Sequence, residues 1–181
     1  MNDSIIEFKA LTKKYGNVVA LNNVDLNFPK GKIIGLLGPN GSGKTTMIKV
    51  ITGLLKKYTG EVLIYGLKPS PETKKIISYL PDRPCLPSRL SITKILDYFS
   101  DYFVDFDKEK ALRLIKELGI DINQSFNELS KGTKEKLQII LVLSRNAKVF
   151  IFDENTGKFL ISLKPISDIE ENIEEEEEFD I

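Results

Sequence analysis

The sequence predicts an α/β domain on a largely parallel sheet, from three observations. Short β-branched runs recur along the chain, the middle third switches to helical spacing, and a glycine-rich segment, "GPNGSGKTT", follows directly on one apolar run. In order, "VDLNF" (24–28), "KIIGLL" (32–37), "EVLIYG" (61–66), "KIISYL" (75–80) and "KVFIFD" (148–153) read as strands. Several are apolar throughout, as strands covered on both faces are. Between residues 80 and 147, Ala111, Leu112, Ile115 and Leu118 form one helical stripe, with Asp107 as its cap and Gly119 as its stop. That section reads as a mostly helical insert, about 84–145, and no internal repeat occurs. At 181 residues and 41% hydrophobic, the chain suffices for one domain with an inserted subdomain.

The formal charge of zero hides an asymmetry. Nine of the thirteen residues 168–180 are Asp or Glu, so residues 1–167 carry 26 bases against 17 acids, a net of +9. A basic body suits a polyanion such as a nucleotide, or a membrane surface; scattered surface lysines would give the same count. Residues 167–181 read as an acidic, low-complexity, solvated tail. The single Cys85 excludes an internal disulfide, and with no His the usual zinc sites and imidazole mechanisms are excluded too. "MNDSIIEFKA" lacks a signal-peptide core, and the longest apolar run, "IILVL" (139–143), is far too short to span a bilayer. A cytoplasmic chain is expected, with any membrane connection made through a partner.

Residues 38–46 fit G-x-x-x-x-G-K-[ST] after a strand, a phosphate-binding loop. Gly38, Gly41 and Gly43 let the loop Gly38, Pro39, Asn40, Gly41, Ser42, Gly43, Lys44, Thr45 and Thr46 curl so that its backbone N–H groups, which Pro39 alone lacks, point at a phosphate, with the next helix adding its positive end. Lys44 would bridge the β- and γ-phosphates of ATP and Thr45 would offer its hydroxyl to Mg²⁺. Such a loop needs a carboxylate from another buried strand. "KVFIFDE" delivers Asp153 for the metal and Glu154 as the base that polarises water.

With "LSKGTKEKLQ" (129–138) added, residues 5–154 resemble the nucleotide-binding subunits of ATP-binding-cassette (ABC) transporters. The resemblance implies a RecA-like P-loop NTPase core with an N-terminal antiparallel β subdomain and an inserted α-helical subdomain, together residues 1–166. It implies that Ser130 and Gly132 stand at the signature motif facing ATP on an opposite protomer, with Lys131 and Thr133 departing from the family pattern. Tyr15 stands where the family stacks adenine, and Asp82 where it has a glutamine that senses Mg²⁺ and water. It further implies ATP and Mg²⁺ as cofactors, a homo- or heterodimer of such subunits, and membrane-spanning permease partners. The chain would lie on the inner face of a bacterial membrane and bind no nucleic acid. The rival is an ATP-binding regulator or inactive remnant that never turns over. A GTPase is disfavoured because no N-K-x-D motif occurs.

The resemblance breaks after Glu154. "FLISLKPISDIEEN" is similar to the family's later strand, with Lys164 where a switch histidine would stand, and about two dozen intervening residues, including an inter-protomer loop, are missing. Only Asn155 to Lys158 link the two strands, too few for a parallel crossover, so a tight reversal is expected. The resemblance implies that this second strand lies between the P-loop strand and the strand ending at Asp153, a placement that a four-residue link is not expected to deliver. Lys164 cannot replace a histidine, having no neutral acceptor state near pH 7. The C-terminal part is therefore expected to be incomplete, with hydrolysis weak or lost.

Overall fold

A computed structural model describes residues 4–82, 86–87, 89–153, 159–162 and 176–180, the last two stretches by their backbone. The chain divides into two compact units, one of Met1–Asp82 with Lys148–Ile181 and one of Arg83–Ala147.

In the first unit, β1 (Ser4–Tyr15) pairs antiparallel with β2 (Val18–Pro29) and β4 (Thr59–Ile64). Ile6, Phe8 and Leu11 of β1 are buried, and Phe8 meets Phe28 edge-on at 5.6 Å. β1, ending at Tyr15, forms with β2 and β4 the N-terminal antiparallel β subdomain that the resemblance implies. Ala10 at φ 51 marks an irregularity in β1: both of its ladders shift register around this residue, which re-aims the residues beyond.

The second sheet runs β5 (Ile77–Leu80), β6 (Val149–Asp153), β7 (Phe159–Ser162), β3 (Ile33–Leu37), β8 (Glu176–Asp180). β5 is parallel to β6 and β8 to β3, while β7 is antiparallel to both β6 and β3. The largely parallel sheet is thus found, with one strand reversed. That reversal is what a link of four or five residues requires. β7 nevertheless occupies the slot between β6 and β3 that the resemblance implies and that the short link was not expected to reach. What the short link changed was the polarity of this strand.

Within the acidic tail, Glu176–Asp180 pair along the far edge of β3 with Asp180 opposite Leu37. A strand ladder is bonded through the main chain, so an acidic composition disfavours it without preventing it.

Helices α1 (Lys44–Ile51) and α2 (Pro71–Lys75) complete this unit. Met47, Ile48, Val50 and Ile51 of α1 join Ile34, Leu36, Val149 and Ile151 in one buried cluster.

The second unit holds α3 (Ile92–Tyr102), α4 (Lys108–Glu117) and α5 (Lys131–Leu143) around Ile92, Ile95, Leu96, Ala111, Ile115, Leu137, Ile140 and Leu141. Asp107 caps α4, accepting from the Lys110 N–H at 2.8 Å, and Gly119 follows its end at φ 65. Of the predicted stripe, Ala111 and Ile115 are buried and Leu112 packs at the margin. Leu118 is instead 48% exposed, because it is the C-cap residue, where the chain leaves the helical path.

Candidate functional site

Because β7 opposes both its neighbours, β3, β5 and β6 point the same way, and their C-terminal ends lie along one edge of the sheet. That edge carries the glycine-rich loop after β3, Asp82 just beyond β5, and Asp153 at the end of β6. Ligand sites of open α/β sheets form at this edge.

The loop owes its curl to Gly38, Gly41 and Gly43, with φ of 142, 89 and 104. Gly43 is also pressed into place: a Cβ there would lie 2.5 Å from the Ala20 carbonyl oxygen and 2.7 Å from Leu21 Cδ2. As the N-cap of α1 it supplies no side-chain acceptor to the first turn, and the N-terminus of that helix carries a partial positive charge suited to an anion. Lys44 is buried, its ammonium donating to the carbonyls of Gly38 (2.6 Å) and Pro39 (2.9 Å) and reaching Ser42 Oγ at 3.3 Å. The Ser42 N–H closes a turn onto the Pro39 carbonyl at 3.2 Å. Thr45 is exposed beside the loop, and Thr46 half-buried.

Asp153 is 8% exposed. Burial raises its carboxyl above the ordinary aspartate value, opposed by a hydrogen bond from Tyr79 and raised further by nearby Asp82, while Lys49 lowers it. The Tyr79 hydroxyl donates to Asp153 Oδ2 at 3.0 Å. Burial holds that phenol well above its ordinary value, and the Asp153 charge adds to this, so it stays protonated and donates. Tyr79 was missed in the sequence. The usable signal was its alternation with Ile77 on a strand running towards Asp82.

Among the described residues no three His, Cys, Asp or Glu side chains gather as a metal cluster. Thr45, Asp82 and Asp153 are hard oxygen donors, few in number and on the phosphate-loop edge. This set fits a Mg²⁺ ion that arrives with nucleotide phosphates better than a resident ion.

Tyr15 is 47% exposed at the end of β1, with the Lys13 ammonium 4.6 Å from its ring centroid. Lys13 is itself tied to the Lys57 carbonyl at 2.7 Å. Glu154, the expected base, lies outside the described residues, as do Asn155–Lys158 and Lys164. Ser130 and Gly132 lie in the other unit. There Ser130 caps α5, accepting from the Thr133 N–H at 3.1 Å and sharing a 2.8 Å bond with the Thr133 hydroxyl. Gly132 is exposed with nothing within 4 Å of a notional Cβ, so the start of α5 is open to close approach.

Comparison with known proteins bears on this arrangement. The family model described as "ABC transporter" matches residues 21–157. The lantibiotic transport ATP-binding protein SrtF of Streptococcus pyogenes is 30% identical over 95% of this chain and 76% of its own length. The ABC transporter ATP-binding protein YtrB of Bacillus subtilis is 31% identical over 84% of this chain, and the ribose import ATP-binding protein RbsA of Caldanaerobacter subterraneus 30% identical over 86%. The chain spans only 53% and 34% of these last two. Among solved structures, an ABC transporter ATP-binding protein from Pyrococcus furiosus superposes with a TM-score of 0.71 at 26% identity, covering 82% of this chain and 74% of that one. An ATP-binding subunit of an ABC transporter superposes at 0.72 and 27% identity, covering 83% and 66%.

Proposed function

This chain belongs to the ABC transporter family, as a nucleotide-binding subunit, and we propose that it binds Mg·ATP at residues 38–46 and lends that binding to membrane-spanning permease subunits. The observation that carries the reading is the common edge: a curled glycine loop with a buried Lys44 after β3, and the buried Asp153 at the end of β6. A point charge and directed N–H groups offset the desolvation of a triphosphate, and a nearby carboxylate holds its cation. Thr45, Asp153 and Asp82 would hold Mg²⁺, which when bound polarises the terminal phosphoryl group. The chain's own groups bind and orient: the loop N–H groups take the phosphates, Lys44 supplies charge, Tyr15 offers a ring to adenine, and Glu154 would take a proton from water. Ser130 and Gly132, at the open start of α5, would serve ATP held by a second subunit, and the pair would sit on the cytoplasmic face of the membrane.

A second reading, an ATP-binding module that turns over slowly or not at all, is favoured by the reversed β7. Calorimetric titration of ATP with Mg²⁺ tests the first reading, for which saturable one-site binding is expected; absence of binding sinks it. Phosphate release under the same conditions separates the two.

A further inference from the structure

We propose that Tyr79 is a positioning residue for the cation-holding carboxylate: from the neighbouring parallel strand its hydroxyl pins Oδ2 of Asp153 at 3.0 Å and so fixes how that carboxylate is presented. The assignment rests on the reading of residues 38–46 and Asp153 as a Mg·ATP site.

The register of β5 and β6 makes the contact. Tyr79 pairs with Ile151, and Asp153, two residues further along β6, lies on the same face. With neighbouring strands about 4.8 Å apart and a rise of about 3.3 Å per residue, the diagonal between such positions is about 8 Å, within reach of a phenol but not of a short hydroxyl side chain. At this depth the bond is worth more than in water, and a carboxylate that would otherwise turn about its terminal torsion is held in one orientation.

The chemistry of the donor also matters. A phenol is neutral, so it orients the carboxylate without cancelling the charge that attracts a cation; a lysine in its place would compete with the metal. The ring and the hydroxyl have separable roles, since the ring packs against the core cluster of the sheet while the hydroxyl alone meets Asp153. Groups that orient a metal ligand from behind commonly tune metal affinity about 10- to 100-fold.

The test uses the full chain, parent and Tyr79→Phe, titrated with ATP by calorimetry in EDTA and across a Mg²⁺ series. Phenylalanine keeps the packing and removes the donor. Affinity in EDTA should be unchanged within about twofold, and the Mg²⁺ concentration that half-restores tight binding should rise about tenfold or more. In an Asp153→Asn background the same change should add nothing. An unshifted Mg²⁺ dependence in a parent that responds to Mg²⁺ overturns this assignment alone, and a loss of affinity in EDTA overturns it by making Tyr79 a packing residue. A parent that binds no ATP in either condition overturns the cradle reading, and this assignment with it.

Discussion

The Lys44 ammonium donates to the Gly38 carbonyl at 2.6 Å, folded back into the loop it belongs to. A second bond, to the Pro39 carbonyl at 2.9 Å, helps brace the turn. Incoming phosphate oxygens must replace those carbonyls, an exchange favoured because charge-assisted bonds to phosphate are the stronger ones. Lys44→Ala should therefore lower ATP affinity at least tenfold, and should cost about 1 kcal/mol of stability by releasing the loop carbonyls. Calorimetry and a denaturant melt read the two effects; unchanged ATP affinity would show that the loop is not the cradle.

The reversed β7 predicts slow chemistry. Phosphoryl transfer depends on groups held to a fraction of an ångström, and this strand fills the slot next to β6 with the opposite polarity. Turnover should fall below about 1 s⁻¹, the low end of ordinary enzymes. Lys164→His should not raise it. Phosphate release at ordinary rates, abolished by Glu154→Gln, would show that the site is complete.

Asp153 predicts an unusual pH dependence. Its folded-state carboxyl is raised above the ordinary 3.8, chiefly by burial, so the folded protein binds this proton more tightly than the unfolded chain does. Stability from this group is present below about 3.8 and declines as pH rises through the raised value. Asp153→Asn, which keeps an acceptor for Tyr79 but carries no charge, should melt higher than the parent at pH 7. The gain should vanish in acid, and Mg²⁺-dependent ATP binding should be lost. A variant that melts lower at pH 7 would contradict this.

In the helical unit, Arg145 grips Asp105 through Nε and Nη2 at 2.9–3.0 Å and lies 4.2 Å from the Phe103 ring centroid. The Arg145 side chain is 6% exposed and that of Asp105 27%. Asp105→Ala should cost about 2 kcal/mol, less than a fully buried pair because Asp105 reaches solvent. Lys108→Ala, which removes an exposed ion pair with Asp97, should cost under about 1 kcal/mol. Urea denaturation of both variants checks the order.

Local chemistry alone determined much of this protein. Residues 38–46 could be read as a phosphate loop because glycines at φ the other residues resist, followed by a lysine and a helix, are a local requirement of anion binding. Asp107 and Ser130 were legible as caps for the same reason, since a cap serves N–H groups only two or three residues away. The four residues after Glu154 forbade a parallel crossover by chain length alone. Tertiary structure decided the rest. The slot that β7 occupies depends on the free edges of β6 and β3, which lie over a hundred residues apart in sequence. The pairing of β8 depends on the other edge of β3. Leu118 left the core because the helix ended one residue too early for its stripe. Tyr79 meets Asp153 only because strand register sets two residues, 74 positions apart, on one face of a sheet, and no local pattern encodes register between distant strands.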